Sequence, residues 1–237
     1  AIFQCLRAAE GNAPARLVLT ASGGPFRTWD REAIERATVD QALRHPNWSM
    51  GPKITVDSAT MLNKALEVIE ARWLFDLPPE RIDVLIHPQS IVHSMVEFQD
   101  GALLAQLGTP DMRLPILYAM AYPERLSAGG ERLSLSHLKE LTFEPVDAAK
   151  FPGLSLAYEA LRAGGTAPAM LNAANESAVQ AFLTGKIPFG RIFRTVRDVL
   201  DKAPVRPAAS LDAVREADET ARRMAASLLS YTEIPAL

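Results

Sequence analysis

Ser58, Thr60, Asn63, Lys64 and Glu67 place two hydroxyls, an amide, an ammonium and a carboxylate within one short stretch of the chain. Lys53 to Val56 reads as a short strand, and Asp57 and Ser58 as the N-cap of the helix that follows. Leu62, Ala65, Leu66, Ile69 and Trp73 supply that helix with its apolar stripe. On this reading Thr60, Asn63, Lys64 and Glu67 stand at i, i+3, i+4 and i+7 and share one face. A hydroxyl, an amide and a cation beside the positive end of a helix suit a phosphate. One turn further on, Glu67 offers a hard oxygen of the kind Mg²⁺ or Mn²⁺ prefers. The plainer reading is a solvated helix face with an ordinary Lys64–Glu67 pair at i, i+3. Neighbouring segments decide between the two.

Arg16 to Thr20 reads as a buried strand that runs directly into Ala21-Ser-Gly-Gly-Pro-Phe26. There Ser22 and two glycines let backbone approach an anion closely, although most such loops are only tight turns. His45-Pro-Asn-Trp-Ser-Met-Gly-Pro52 holds two prolines and a glycine, which forbid regular structure. Trp48 and Met50 must therefore either pin this loop to the core or lie over a ligand. His93 falls on a strand spanning 91–98, where alternation puts Ile91, His93, Met95 and Glu97 on one face. By itself it reads as a satisfied strand histidine. Thr109-Pro-Asp111 opens a helix in good form, with Met112 on its first turn.

The elements that must position these residues follow from pattern. Strands are expected at 16–20, 81–86, 91–98 and 102–107, the last two joined by a hairpin turn at Gln99-Asp100-Gly101. Helices are expected at 1–9, at 30–37 with Thr28 as its cap, and at 109–121. Residues 122–150 read as an extended linker. Beyond it the period is 3.6 throughout, with helices at 153–163, 168–183, 188–200 and 211–229, the last capped by Ser210. The expected architecture is an α/β (α+β) domain over 1–121, with a mostly antiparallel or mixed sheet and flanking helices. A separate all-α four-helix bundle over 151–230 completes it. Asn172, Asn175 and Glu176 in that bundle read as packing and interhelical hydrogen bonds.

Composition narrows the function. At 48% hydrophobic and 22% charged residues the chain is globular. A net charge of −3 supplies no basic field for nucleic acid or an anionic membrane. No apolar run approaches the roughly 18 residues of a membrane span. The single cysteine, Cys5, excludes an internal disulfide framework and suits a reducing, cytoplasmic setting. The chain opens on Ala1-Ile-Phe-Gln-Cys-Leu as though within a helix already under way, and a missing beginning is expected.

Five segments taken together carry a resemblance. They are Ala-Ser-Gly-Gly-Pro-Phe at 21–26, His-Pro-Asn-Trp-Ser-Met-Gly at 45–51, Val-Asp-Ser-Ala-Thr-Met-Leu-Asn-Lys-Ala-Leu-Glu at 56–67, His-Pro-Gln-Ser at 87–90 and Pro-Asp-Met-Arg at 110–113. In this order they resemble 1-deoxy-D-xylulose 5-phosphate reductoisomerases, from residue 1 to about 229. Ala21 and Ala65, where glycine is usual, and Leu62, where Met is common, depart from the pattern without touching a ligand-binding side chain.

The resemblance implies roles for residues already named. Ser22, Ser58, Asn63 and Lys64 would hold the substrate phosphate. Residues 45–51 would form a mobile flap, with Trp48 over the substrate backbone and His45 reaching its polar groups. Glu67 would be a carboxylate ligand of Mg²⁺ or Mn²⁺, and Met112 and His93 would line the nearby wall. His45, Trp48 and Glu67 are thus the catalytic candidates. The implied reaction is a metal-assisted skeletal rearrangement followed by NADPH reduction to 2-C-methyl-D-erythritol 4-phosphate, an isoprenoid precursor. A homodimer through the sheet is implied as well.

No strand–GxGxxG–helix unit is present, so the NADPH-binding domain is expected to be absent, leaving Gly51 as the sole cofactor-side candidate. Two of the three metal carboxylates are expected to be missing too. The chain is therefore expected to be inactive by itself. The alternative is a truncated, non-catalytic module that binds phosphosugars.

Overall fold

The structure, a computed structural model, describes residues 1–9 and 11–230. In chain order its elements begin with α1 (Ile2–Arg7), β1 (Pro14–Ala21), α2 (Arg31–Glu35), α3 (Val39–Ala42), α4 (Pro52–Thr60) and α5 (Leu62–Phe75). Then come β2 (Ile82–Ile86), β3 (Val92–Phe98), β4 (Leu103–Leu107), α6 (Arg113–Ala121) and β5 (Glu144–Pro145). The chain continues through α7 (Pro152–Ala163), α8 (Ala167–Leu183), α9 (Arg191–Lys202) and α10 (Leu211–Ser230). No helix among the described residues is long and apolar enough to cross a membrane.

These elements form two units. The first joins Ala1–Ser22 to Glu80–Val146. It is built on a mixed sheet of order β4-β3-β1-β2-β5, in which β1 pairs parallel with β2 and all other pairs are antiparallel. The apolar run of β1 suits its place at the sheet centre, where Leu17, Val18 and Leu19 are buried. The β3–β4 hairpin turns at Gly101, whose φ of +84° only glycine adopts readily, and Phe98 N–H donates to the Ala102 carbonyl at 2.9 Å.

Alternation along β3 is not strict. Opposite β4, Val92 pairs with Leu107 and Ser94 with Gln106, so His93 is an extra residue at a bulge. The bulge reverses the face, and Val92 and Met95 share one cluster with Val18. The 122–150 stretch is only partly a linker, because β5 within it adds a strand to β2. It is held there by His87, which is buried, stacks on Phe143 at 4.7 Å and bonds the Thr142 carbonyl at 2.8 Å. The helix after Thr109 starts four residues late, at Arg113, because the Asp111 carboxylate caps the Arg113 N–H instead.

The second unit joins Gly23–Pro79 to Asp147–Leu237. The units change over after Ser22, Pro79 and Val146, with no division at 121, and α2–α5 group with α7–α10 instead of leaving the last four helices as a separate bundle. Close packing is the reason. Gly153 of α7 leaves no room for a side chain, since a Cβ there would lie 2.9 Å from both Leu62 Cγ and the Thr60 carbonyl. Asn175 of α8 donates to the Asp57 carboxylate of α4 at 2.9 Å. Phe26 and Phe189, both fully buried, meet edge-to-face at 5.1 Å, and Phe182 and Phe193 pack on Phe189. Burying each such ring contributes about 1.5–3 kcal/mol. Helix α10 begins as expected, with Ser210 Oγ accepting from Ala213 N–H. The helix near residue 30 is capped by Asp30, not Thr28, and a second short helix follows behind a Thr38–Gln41 capping box.

Candidate functional site

Lys53 to Val56 is helical, not a strand. Gly51 is the N-cap of α4 and Pro52 its first residue, a placement that uses proline's missing N–H where no helical bond is needed. Asp57 and Ser58 lie inside that helix. Met61 then takes a left-handed conformation, φ +61°, and ends α4 while beginning α5. This kink breaks the register assumed for Thr60, which is fully buried and bonds the Asp57 carbonyl at 3.1 Å. Trp73, expected on the apolar stripe, is 69% exposed, and the buried face of α5 runs through Leu62, Ala65, Val68 and Ala71.

What the kink assembles is a junction of two helices. Ser58, half-buried, sits near the end of α4, and Asn63 and Lys64 occupy the first turn of α5. First-turn N–H groups lack backbone acceptors within the helix and make its end positive; here the Leu62 N–H is taken by Thr60 Oγ1 at 3.3 Å, while Met61 itself gives no side-chain cap. Asn63 Nδ2 donates to Glu67 Oε1 at 2.8 Å, and Lys64 Nζ meets Glu67 Oε2 at 2.7 Å. Three of the candidate side chains thus form one hydrogen-bonded group. Glu70, one turn on, has its carboxyl pushed up by burial and then by the Glu67 charge.

Gly24 fixes the backbone beneath this junction. Its φ is +64°, and a Cβ there would lie 2.8 Å from the Ser58 carbonyl oxygen. Asp57, read from sequence as a cap, instead anchors α4 internally. It is 1% exposed, with Lys53 at 2.6 Å on one oxygen and Asn175 on the other. The packing role read for Asn175 is the one it has here; what the sequence left hidden was its partner.

The segment 44–51 has no regular structure, and Trp48 is partly buried on it. His45 organises the segment: its Nδ1 accepts from the N–H groups of Asn47 at 3.1 Å and Trp48 at 3.0 Å. The proton of the neutral ring is therefore on Nε2, and burial pushes the imidazole below its ordinary range.

Ser22, His93 and Met112 belong to the sheet unit. Ser22 follows β1 directly and is partly buried, and Met112 stands before α6 and is 56% exposed. His93 bonds Gln106 Oε1 through Nδ1 at 3.1 Å, so Nδ1 carries the proton. Its Nε2 is buried with no hydrogen-bond partner among the described residues. Burial is the main cause of its lowered pKa, partly opposed by Gln106. The two histidines are thus neutral in opposite tautomers, a donor at Nε2 of His45 and an acceptor at Nε2 of His93.

For a divalent metal the residues in hand fall short. Glu67 is a hard-oxygen ligand, but both its oxygens already accept hydrogen bonds. Among the described residues no group of three His, Cys, Asp or Glu side chains is placed to hold a metal.

A mixed sheet unit and a helical unit with a kinked helix junction define an α/β protein. Comparison with known proteins identifies the family. Residues 1–75 match the 1-deoxy-D-xylulose 5-phosphate reductoisomerase C-terminal domain, and residues 107–224 match the DXP reductoisomerase C-terminal domain. The chain belongs to the 1-deoxy-D-xylulose 5-phosphate reductoisomerase family.

The reductoisomerase of Ralstonia nicotianae is 60% identical over 228 residues, covering 95% of this chain and 58% of the relative. That of Acidithiobacillus ferrooxidans is 59% identical over 227 residues, covering 95% of this chain and 57% of its own length. Among solved structures, the Zymomonas mobilis reductoisomerase in complex with NADPH superposes with a TM-score of 0.90 at 44% identity, covering 98% of this chain and 60% of that one. A DOX-P reductoisomerase in complex with NADPH, fosmidomycin and magnesium gives a TM-score of 0.87 at 43% identity, covering 97% of this chain and 61% of that one. The chain thus spans a little under two thirds of the length of these relatives.

Proposed function

We propose that this chain carries the phosphate-recognition part of a 1-deoxy-D-xylulose 5-phosphate reductoisomerase, which converts that substrate to 2-C-methyl-D-erythritol 4-phosphate with NADPH. The observation that carries the reading is the junction at Met61, which sets Asn63 and Lys64 at the positive start of α5 directly after Ser58. Ser58 offers a hydroxyl O–H, Asn63 an amide N–H and Lys64 an ammonium, three donors that suit a dianion. Ser22, His93 and Met112 are assigned to substrate binding on the family resemblance.

Within this scheme each side chain has a limited task. The His45 Nε2–H donates to a substrate oxygen, and the His93 Nε2 lone pair accepts from a hydroxyl. Trp48 covers the sugar backbone and excludes water when the 44–51 segment closes. Glu67 would be one carboxylate toward Mg²⁺ or Mn²⁺, an ion that would supply polarisation of the ketone and hydroxyl oxygens if further ligands completed its site. Gly51 is the one residue of this chain assigned to the cofactor side. With a single carboxylate to offer, metal binding by this chain alone is expected to be weak, because Mg²⁺ sheds its water reluctantly.

We assign a homodimer to the sheet unit. Its edge strand β4 presents Leu103, Leu104 and Leu107 to solvent, and an exposed apolar edge favours pairing with another chain. Light scattering that shows a monomer at tens of micromolar would remove this assignment.

Calorimetry with a phosphonate substrate analogue tests the central reading. Saturable binding that Lys64→Ala weakens supports it, and binding indifferent to Lys64 overturns it.

A further inference from the structure

The helical unit contains a second basic feature that none of the residues assigned to substrate touches. A cavity of about 160 Å³ opens where α2, the start of α7 and the start of α9 meet, with Arg31, Lys150 and Arg194 on its walls. Glu35 is the one carboxylate lining it, and buried Ile34 and Phe193 form part of its apolar lining. The space is ample for several waters or a small tetrahedral anion.

The charges in this cavity do not balance. Arg194 pairs with Glu35 at 3.2 Å. Glu35 is held against the backbone of Gly190, where a Cβ would fall 1.8 Å from its Oε2, so this carboxylate is committed to one wall. Lys150 donates to the Arg27 carbonyl at 3.1 Å, which fixes its ammonium without neutralising it. The Arg31 side chain makes no ion pair or hydrogen bond among the described residues. Two other arginines of the helical unit are matched to acids, Arg197 to Glu159 and Arg222 to Glu176 and Asp218. Here three cations face one carboxylate, a local charge of +2 in a chain whose net charge is −3. Arg31 is exposed and the Arg194 side chain is 54% exposed, so solvent screens much of their repulsion, and an anion entering the space would offset the rest.

We propose that this cavity binds a small phosphate-type dianion, with Arg31 and Lys150 as its principal contacts. Two arginines and a lysine converge as planar and point-like donors respectively, a set that suits the several oxygens of a phosphate. Free phosphate and a phosphomonoester are equally admissible in charge. They differ in whether the apolar lining at Ile34 and Phe193 adds affinity for an organic tail.

The test is calorimetric titration of the full chain, in phosphate-free buffer of low ionic strength, with inorganic phosphate and in parallel with glycerol 1-phosphate. Lys64→Ala weakens the site proposed for the substrate phosphate. In that background one saturable site is expected to remain, weakened five- to tenfold by Arg31→Gln and lost when Lys150→Gln is added. Binding should also fall as salt is raised. Tighter binding of the ester would assign the organic phosphate as ligand, and equal binding the free anion. If Lys64→Ala alone abolishes all phosphate binding, or Arg31→Gln leaves the remaining affinity unchanged, the cavity is not an anion site. Should Lys150→Gln fail to fold for want of its bond to Arg27, Arg31→Gln decides by itself, since that side chain holds nothing else in place. The substrate-site reading fails on a different result, phosphonate binding indifferent to Lys64.

Discussion

The ammonium of Lys64 lies 2.7 Å from the carboxylate of Glu67, whose other oxygen accepts from Asn63. The cation assigned to the phosphate and the carboxylate assigned to the metal are therefore partners. A phosphate entering at Lys64 must share that ammonium with Glu67, so the two assigned roles are electrostatically coupled within a single turn of helix.

Lys64→Ala should weaken binding of a phosphonate substrate analogue by about 1.5–3 kcal/mol, the range for a hydrogen bond assisted by charge. Lys64→Arg should not restore it, because a planar fork cannot occupy the place of a point-like ammonium bonded to Glu67. Isothermal titration of the three proteins checks both statements.

Asn175→Ala should lower stability by about 1–3 kcal/mol, because it strips one partner from a buried carboxylate. At roughly 2–4 °C per kcal/mol for a chain of this size, the melting temperature should fall by several degrees. Lys53 would be left as the remaining partner of Asp57, and its side chain is 41% exposed. An unchanged melting curve would show that Asp57 does not depend on α8.

Gly24→Ala should cost about 1–2 kcal/mol for the left-handed backbone alone. The added Cβ must also displace the Ser58 carbonyl, 2.8 Å away. Phosphonate affinity should therefore fall along with the melting temperature. A variant that melts early yet binds normally would separate Gly24 from the site.

His45 should titrate below the ordinary histidine value near 6.5, with burial as the cause. A histidine whose folded pKa is depressed contributes stability that is present above its unfolded pKa and lost as pH falls through the folded one. Protonating Nδ1 would also expel the N–H groups of Asn47 and Trp48. The 44–51 segment should accordingly loosen on acidification below about pH 6.5. Nitrogen-detected NMR should find the Nε2–H tautomer at neutral pH, and a titration at or above the ordinary value would refute this account.

Some of the molecule was legible from residue types alone. Period located α7 to α10 closely, because their apolar positions recur at 3.6 residues, and the Ser210 cap marked the start of α10. The hairpin at Gly101 was legible for a similar reason, as a local turn with local chemistry. The stretch 53–61 was misread because its β-branched Ile54, Thr55 and Val56 favour a strand, whereas Pro52 and packing against α8 hold it helical. The bulge at His93 was invisible because it exists only in register with β4.

By itself the sequence determined which chemical groups are present and which family they resemble, since long ordered motifs survive without coordinates. Tertiary structure alone decided that Asp57 is an internal anchor and that Asn175 is its partner. It also decided that Arg31, Lys150 and Arg194 face one cavity. Each of these depends on residues far apart in the chain, and burial and unbalanced charge are properties of what surrounds a side chain, not of the side chain itself.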